Sequence, residues 1–364
     1  MSGSAELRPT LKDPRPTLKD VAKAAGVSPQ AVSLVINNKR GVSQTTRRHI
    51  ESVVRDLNYT PHAGAQAMRS ASTRTLAFIY SGTTSGRLSV SGYLEEILNG
   101  VLASANGRGY HLLLYSLHLG QGEQQLSELR SRCDGIIAVG SHLSDAQLRT
   151  LEAIRLPFAE VQRKVHAHSA HAYSVCVDDE GGISAAVSYL SRRGHKRIGY
   201  LGRVLTKHTS QARYQGYLAG LKKNGLVLDE AIVRHANHGE THPGAAVNNP
   251  LEQHEVSQGL ELSLELLGEA EPPTALVCFD DLLAVGALRA AKLRGVAVPG
   301  DLAVIGFNNF SMAAATTPPL TTIDFPAYQL GMTAADLLLQ HLAGEPPETR
   351  AVTIPVKLFT RETA

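Results

Sequence analysis

Residues 17–38 read TLKDVAKAAGVSPQAVSLVINN and contain two short helical patterns separated by a tight turn. The apolar residues of the first pattern recur at helical spacing: Leu18, Val21, Ala22 and Ala25. Thr17 can cap this helix, and Gly26 ends it. Ser28 is a favourable N-cap for a second helix, and Pro29 suits the first helical position, where its missing N–H costs nothing. The stretch therefore predicts a helix, a turn and a second helix.

The second predicted helix has one face for packing and one that points outward. The packing stripe consists of Val32, Val35 and Ile36. The opposite face consists of Gln30, Ser33, Leu34 and Asn37. A third helical pattern follows Ser43, and Tyr59 and Pro61 close the module. Since the second helix of a helix-turn-helix enters the major groove, this arrangement favours DNA binding.

Basic residues are concentrated in this N-terminal module. The whole chain has a net charge of +3, whereas residues 15–70 contain nine Lys or Arg and three Asp or Glu, so the remainder is net negative. A small basic module suits contacts with phosphates. Charge alone equally allows a solvated basic face, so the interpretation depends on the helical pattern.

Downstream of Arg74, short apolar segments alternate with amphipathic helical patterns. The apolar segments are LAFIY (76–80), HLLLY (111–115), GIIAVG (135–140), PFAEV (157–161), SVCV (174–177), RIGYL (197–201), TALVCF (274–279) and LAVIGF (302–307). Repeated strand–helix units indicate parallel sheets with right-handed crossovers, and their number indicates two sheets. Ligands of such folds bind at the carboxyl ends of the strands.

Composition argues against several other classes of protein. The 364 residues are 43% hydrophobic and 19% charged, which supports two or three packed units. Three cysteines, Cys133, Cys176 and Cys278, lack metal-ligand spacing, and their odd number argues against a secreted disulfide framework. No apolar run approaches the ~18 residues of a membrane span, and the N-terminus has no signal-peptide pattern. We therefore expect a cytoplasmic, nucleoid-associated protein.

The sequence also lacks the motifs of common enzyme sites. No phosphate-binding P-loop, nucleophile elbow or zinc-protease pattern is present, so an enzyme is not expected. Two runs of histidine stand out, the first at His166, His168 and His171 and the second at His235, His238 and His242. Neither run supplies convergent metal geometry by itself. We expect polar loops there, with no metal and no cofactor.

Residues 17–38, followed by VSQTTRRHIESVVRDLNYTPHAGAQAM at 42–68, resemble the headpiece of the lactose/galactose repressor (LacI/GalR) family. The resemblance continues through GHKRIGYLG (194–202), the R-x-x-G-Y at 213–217, VPGDLAVIGF (298–307) and PPLTTI (318–323). It implies a small all-α helix-turn-helix headpiece and an α/β periplasmic-binding-protein-like effector domain of two Rossmann-like subdomains. It also implies a homodimeric, sequence-specific transcription regulator, expected to be a repressor, that binds a palindromic DNA operator. A small molecule, by family default a sugar or sugar derivative, is its allosteric effector.

The resemblance assigns DNA contacts position by position. Base-edge contacts are implied for Pro29, Gln30 and Leu34. Phosphate contacts or support of the helix are implied for Thr17, Ser28, Ser33, Asn37, Ser43, Thr46 and Tyr59. Gln30 can pair with adenine, whereas Leu34 offers apolar contact, as to a thymine methyl, unless it is a core residue. Residues 62–68 match a hinge helix that enters the minor groove, with contacts at Ala65 and Met68; a plain linker is the alternative.

The effector cleft lies, by the same resemblance, between the two α/β subdomains. Its implied lining residues are Tyr93, Leu94, Gln211, Arg213, Asp280, Asp281 and Asn308. Two of them have structural alternatives: Arg213 can be a structural arginine, and Asp281 can simply cap the helix that follows. Asn308 replaces a frequent aspartate and can donate as well as accept hydrogen bonds, which suits a different ligand polarity.

These assignments define an expected domain organisation. A disordered extension occupies residues 1–16, the headpiece 17–61, the hinge and linker 62–74, and the effector-binding and dimerisation domain 75–364. The first subdomain is expected at about 75–175 and 326–343, and the second at about 176–325 and 344–364. A solute-binding protein of the same effector fold without a regulatory role, or a regulator that acts as an activator, is the alternative.

We expect Met68→Ala to weaken operator binding, because the change removes the apolar side chain that wedges between base steps. Dimerisation should stay intact, because the effector domain is unchanged. Titration of operator DNA and size-exclusion chromatography measure the two effects. An unchanged operator affinity would count against the wedge.

Overall fold

The computed structural model describes residues 16–60, 72–81, 92–117, 122–139, 145–163, 171–237 and 250–364. The chain divides into two compact units, Met1–Thr73 and Arg74–Ala364. Residues 1–15 of the expected extension at 1–16, and the hinge residues Ala65 and Met68, lie outside the described residues. None of the helices in the described ranges combines the length and the hydropathy that a bilayer span requires.

Residues 16–60 of the N-terminal unit form α1 (Leu18–Ala24), α2 (Pro29–Ile36) and α3 (Gln44–Asp56). Thr17, Ser28 and Ser43 are their N-caps, and the sequence predicts the caps at Thr17 and Ser28. Thr17 and Asp20 form a reciprocal capping box, in which the Thr17 N–H donates to the Asp20 carboxylate at 2.8 Å. The buried core of the unit consists of Val21, Ala22, Ala25, Val32, Val35 and Ile50. Because α1 and α3 both contact α2 through this core, they set its orientation.

In the described residues of the C-terminal unit, most strands are followed by a helix. Its first part contains β1 (Thr75–Ser81), α4 (Gly92–Gly107), β2 (His111–Leu117), α5 (Gly122–Leu129), β3 (Gly135–Val139), α6 (Asp145–Ala153), β4 (Phe158–Val161) and β5 (Ala172–Val177). Its second part contains α7 (Asp179–Arg192), β6 (Ile198–Arg203), α8 (His208–Lys223), β7 (Val233–Ala236), α9 (Pro250–Leu266), β8 (Ala275–Cys278), α10 (Asp281–Arg294), β9 (Ala303–Asn308), α11 (Ser311–Ala315) and β10 (Thr321–Asp324). The last elements are α12 (Ala327–Leu342), β11 (Ala351–Ile354) and β12 (Lys357–Phe359).

The strands form two six-stranded sheets. The first has the order β11-β5-β4-β3-β1-β2, with every neighbouring pair parallel. The second has the order β12-β10-β9-β8-β6-β7 and is parallel except for β12, which runs antiparallel to β10. We refer to each sheet with its helices as the first and the second subdomain. The two parallel sheets predicted from the alternating pattern are confirmed.

The chain passes between the two sheets after β5, after β10 and between β11 and β12. After the second passage α12 packs on α4 and on the first sheet. β11 then pairs with β5, with Ala351 opposite Ser174. The expectation that residues 344–364 belong entirely to the second subdomain is therefore wrong for β11. This strand lies at a sheet edge, where Ala351 and Thr353 are exposed, so no apolar run marks it in the sequence.

In the described residues, three pairs of helices cross so closely that only glycine fits: α4–α12, α7–α8 and α9–α10. In the α4–α12 pair, a Cβ on Gly100 would lie 2.0 Å from the Tyr328 carbonyl oxygen. In the α7–α8 pair, a Cβ on Gly216 would lie 2.4 Å from the Glu180 carbonyl oxygen. In the α9–α10 pair, a Cβ on Gly286 would lie 2.5 Å from the Val256 carbonyl oxygen. Because no side chain separates the backbones at the crossing, the two helices of each pair pack closely against each other.

Gly100→Ala is expected to lower the free energy of unfolding by roughly 1–3 kcal/mol, because the added methyl group overlaps the α12 backbone. Gly107→Ala, on the same helix, is the matched control. A Cβ at Gly107 meets nothing within 4 Å, so this change should be neutral or stabilise by up to about 1 kcal/mol. Urea unfolding followed by circular dichroism measures both, and equal midpoints would contradict the close crossing.

Candidate DNA-reading surface and effector site

The outward face of α2 is accessible in the N-terminal unit. Pro29, Gln30 and Asn37 are exposed, and Ser33 and Leu34 are half-buried. On the other side of the helix, Val32 and Val35 are 0% and 6% exposed. The division into a packing face and an outward face follows the sequence prediction.

Leu34 is half-buried because its side chain reaches the loop that follows α2. A Cβ on Gly41 would lie 3.2 Å from Leu34 Cδ1, and Gly41 has a φ of +127°, which L-residues rarely adopt. The loop covers one side of Leu34 and leaves the rest accessible. Leu34 is therefore neither a core residue nor a freely exposed one.

The polar residues around α2 are engaged in caps and local contacts. Ser28 Oγ accepts the Ala31 N–H at 3.2 Å, and Ser43 Oγ accepts the Thr46 N–H at 3.1 Å. Asn37 Nδ2 donates to the Ser33 carbonyl oxygen at 2.6 Å. Tyr59 is half-buried against the core of the unit. These contacts fit residues that support the helix, and the remaining N–H groups at the N-terminus of a helix attract phosphate.

In the C-terminal unit, polar side chains gather at the carboxyl ends of β6, β8 and β9. Arg203 is the last residue of β6, Asp280 and Asp281 follow β8, and Asn308 ends β9. Arg203 donates to Asp280 at 2.9 Å and pairs with Glu255 of α9 at 3.0 Å. Sequence reasoning missed Arg203 and Glu255. For Arg203 the available signal was its place directly after an apolar strand segment.

The buried guanidinium of Arg213 packs against the rings of Phe279 and Phe307 and pairs with the carboxylate of Asp179. It donates to Asp179 Oδ1 at 2.7 Å and to the Phe279 carbonyl oxygen at 2.5 Å. Its guanidinium carbon lies 3.6 Å from the centroid of the Phe307 ring and 4.4 Å from that of Phe279. Burial raises the pKa of Asp179, and the charge of Arg213 opposes this rise. The contacts match the structural alternative for Arg213, and an effector contact stays a prediction.

The two adjacent aspartates have different roles. Asp280 caps α10, because its Oδ1 accepts the Leu283 N–H at 2.9 Å, so the alternative that Asp281 caps this helix is wrong. Asp281 is fully buried and accepts the Thr322 hydroxyl at 2.5 Å and the Phe310 N–H at 2.7 Å. Burial raises the pKa of Asp281 to about 7, although these two hydrogen bonds lower it. Asp281 thus ties the start of α10 to β10 and to the loop after β9.

The first subdomain contributes Tyr93 and Leu94, at the start of α4. Tyr93 is half-buried with its ring edge-on to Phe325, 6.1 Å between centroids, and Leu94 is buried in the core. A Cβ on Gly92 would lie 3.7 Å from Phe310 Cδ1. The start of α4 and the loop after β9 therefore meet across the two subdomains.

Gln211 and Asn308 complete the expected cleft residues. Gln211 is exposed on α8, and its Nε2 donates to the Leu205 carbonyl oxygen at 2.9 Å. Asn308 is half-buried and has a φ of 110°, which is rare for a residue other than glycine. The structure brings Asp280, Asp281 and Asn308 together at the strand ends, while Gln211 lies on the surface of α8.

Phe279 is a further candidate that sequence reasoning missed. It is half-buried at the end of β8 and is flanked by Arg203, 5.4 Å from the ring centroid, and Arg213. An aromatic ring held among polar groups at a strand end can stack on a ligand. In the sequence, Phe279 could have been recognised as a phenylalanine between an apolar strand segment and two aspartates.

Each of the two units resembles known proteins. Residues 17–62 match the family model of bacterial regulatory proteins, lacI family, and residues 187–364 match a periplasmic binding protein-like domain. The HTH-type transcriptional repressor PurR of Erwinia tasmaniensis is 32% identical over 353 residues, which cover 95% of this chain and 96% of the relative. The chain belongs to the lacI family of bacterial regulatory proteins. PurR of Vibrio cholerae is 28% identical over 351 residues, 95% of this chain and 97% of the relative.

Solved structures of lacI-family regulators share the architecture. The lac repressor dimer bound to operator and the anti-inducer ONPF has a TM-score of 0.79 and 26% identity, covering 95% of this chain and 98% of that one. The transcriptional regulator CelR in complex with cellobiose has a TM-score of 0.68 and 26% identity, covering 96% and 100%. The predicted helix-turn-helix headpiece and periplasmic-binding-protein-like domain are confirmed. This lacI-family protein is a DNA-binding transcription regulator with an effector-binding domain, and its relatives are regulators rather than enzymes.

In the wild type, the stability of this lacI-family regulator is expected to decrease as the pH rises from about 4 to 7. Asp281→Asn is expected to remove this decrease. Folded Asp281 keeps its proton up to about pH 7, whereas the unfolded chain titrates near 3.8. The folded state therefore binds more protons in this window, so the free energy of unfolding falls as the pH rises. Asparagine can accept from Phe310 and donate to Thr322 without a charge.

Urea unfolding at about pH 5 and pH 8 measures the effect, which should be on the order of a few kcal/mol in the wild-type chain. Glu261→Gln removes an exposed carboxyl group of α9 and is the control, which should keep the wild-type pH dependence. The same pH dependence in Asp281→Asn and in the wild type would contradict the assignment.

Proposed function

We propose that this chain is a repressor that binds a palindromic operator as a homodimer and whose operator affinity is set by a small polar molecule. The observation that carries the proposal is the outward face of α2, where Gln30 is exposed while Val32 and Val35 are buried. A helix held in this way offers side chains to the major groove. The likeness to the lac repressor dimer on its operator supports the same mode of binding. The repressor acts on chromosomal DNA, so its place is the cytoplasm, at the nucleoid.

Base discrimination is assigned to the start and middle of α2. Gln30 pairs with an adenine through its amide group, Leu34 contacts a thymine methyl with its accessible side, and Pro29 packs against a base edge. The phosphate and supporting contacts are those of Thr17, Ser28, Ser33, Asn37, Ser43, Thr46 and Tyr59. The hinge contacts in the minor groove are those of Ala65 and Met68.

The effector is proposed to be uncharged and rich in hydroxyl groups, as a sugar or sugar derivative is. Buried arginines at the strand ends are already paired, Arg213 with Asp179 and Arg203 with Asp280 and Glu255. An acidic effector would have to break such a pair, at a cost on the order of 3–5 kcal/mol. Hydroxyl groups can share these donors and acceptors without separating the charges. The CelR complex with cellobiose supports this ligand class.

The effector site is proposed to span both subdomains. Tyr93 and Leu94 contribute from the first, and Gln211, Arg213, Asp280, Asp281 and Asn308 from the second. The domains are the headpiece 17–61, the hinge and linker 62–74, and the effector domain 75–364. Effector binding changes the angle between the subdomains and thereby the folding of the hinge on DNA. A tenfold change in operator affinity requires about 1.4 kcal/mol of such coupling.

Selection of bound duplexes from a random pool, with and without a panel of neutral sugars and acidic metabolites, tests the proposed function. The expected result is a palindrome whose half-sites are one or more helical turns apart, and a neutral sugar that changes the yield. An enriched site without two-fold symmetry, or no enrichment with any metabolite, would end the proposal. A response confined to acidic metabolites would overturn the effector class.

Gln30→Ala should lower affinity for the selected palindrome at least about thirtyfold, because a dimer loses one bidentate base contact in each half-site. Affinity for a random duplex should not change, since Gln30 reads bases and not phosphates. Gln215→Ala, an exposed glutamine of α8, is the control. Fluorescence anisotropy measures all three proteins, and an equal loss on both duplexes would show that Gln30 does not read sequence.

A further inference from the structure

The loop between α2 and α3 carries two exposed cations that belong to neither of the sites described above. Lys39 and Arg40 are both exposed and lie next to each other. Exposed Lys and Arg side chains alone mark no site, because most of them are only solvated. Their significance comes from the backbone that carries them.

The backbone of this loop leaves α2 by one defined path. Asn38 has a φ of 52°, in the left-handed region. The Asn38 N–H donates to the Val35 carbonyl oxygen at 3.0 Å, and the Lys39 N–H donates to the Leu34 carbonyl oxygen at 2.8 Å. Such bonds close the C-terminus of a helix with a left-handed residue. The position of Lys39 and Arg40 is thus tied to the end of α2.

Arg47 of α3 stabilises the same turn through hydrogen bonds of its guanidinium group. Its Nη1 lies 3.3 Å from both the Val35 carbonyl oxygen and Asn38 Oδ1, and its Nη2 donates to the Lys39 carbonyl oxygen at 2.5 Å. One guanidinium therefore bridges the last turn of α2, the left-handed residue and the peptide group after Lys39. Its positive charge also suits the C-terminus of α2. A lysine ammonium lacks the planar fork that spans these acceptors.

In the binding mode proposed above, the length of α2 would bring this loop beside the DNA backbone. α2 has eight residues, so it is about 12 Å long, close to the width of the major groove. A helix of this length that reads bases from its N-terminus ends at the sugar–phosphate strand that bounds the groove. Lys39 and Arg40 lie three and four residues beyond Ile36, the last residue of α2.

We propose that residues 38–41 form a phosphate-binding surface in which Lys39 and Arg40 contact the DNA backbone and Arg47 is the positioning residue that holds the loop. We assign Arg47 to the loop and not to a phosphate, because its Nη1 and Nη2 already donate to Val35, Asn38 and Lys39. The inference rests on the proposed function, since it takes α2 to lie in the major groove. It adds contacts that are independent of sequence to a face that reads bases.

The salt dependence of DNA binding tests the proposal, with the full-length chain on a random duplex of about 30 base pairs and on the selected palindrome. Each phosphate contact adds about 0.9 to the slope of log affinity against log salt, so a dimer of Lys39→Met/Arg40→Met should lose about 3.6. Arg47→Met should lose about half of that or more, although it touches no phosphate. Arg48→Met is the matched control, because Arg48 is an exposed neighbour on α3 with the same charge, and it should keep the wild-type slope.

Arg47→Lys separates positioning from charge. Lysine keeps the charge but lacks the fork, so its slope should match that of Arg47→Met. Adding Arg47→Met to the Lys39→Met/Arg40→Met variant should lower the slope little further, because the contacts that Arg47 positions are already gone. Circular dichroism at the assay temperature reports whether each variant keeps its helices.

The proposal is overturned if Arg47→Met or Lys39→Met/Arg40→Met keeps the wild-type slope, or if Arg48→Met lowers it as much as Arg47→Met does. A wild-type slope in Arg47→Lys overturns the positioning role, because charge alone would then suffice. Failure of the proposed function looks different. In that case the chain prefers no palindrome over the random duplex, but the salt slope still falls in Arg47→Met and not in Arg48→Met. The proposed operator binding is then wrong, and the phosphate-binding loop stands.

Discussion

The orientation of α2 depends on the burial of two valines. A helix of eight residues is too short to be stable by itself in water, so α2 exists because Val32 and Val35 pack into the core formed with α1 and α3. Once these side chains are buried, helical geometry places Gln30 on the outside. The N-cap at Ser28 and the Arg47 bridge hold the two ends of a helix whose direction that packing has already set.

The effector domain follows a different constraint, the pairing of buried charges. Arg203 and Arg213 lie at or near the strand ends of the second sheet, and each is matched by carboxylates that the chain itself supplies. In the described part of the second subdomain, both of these arginines are therefore charge-compensated, which is the basis for proposing an effector that binds through hydroxyl groups. Asp281 adds a mechanical link, because it holds the Phe310 amide while the Phe310 ring approaches Gly92 of the first subdomain.

Sequence reasoning was most successful where the deciding interactions are local. The caps at Thr17 and Ser28 involve residues within one turn of each other, so they can be recognised without tertiary structure. It was less successful where the partner is distant. Arg213 was expected near the cleft, but Asp179, its partner 34 residues away, was not. β11 was assigned to the wrong sheet, because an exposed edge strand has no apolar pattern and only its pairing with β5 places it.

The sequence by itself determined the helix-turn-helix, the alternation of strands and helices, and the family, because each depends on residues close together in the chain. Tertiary structure decided which of Asp280 and Asp281 caps α10, how the buried arginines are neutralised, and where Arg47 acts. These outcomes depend on backbone geometry and on groups brought together from distant segments. The identity of an aspartate or an arginine in the sequence does not show which of these partners its side chain contacts in the folded protein.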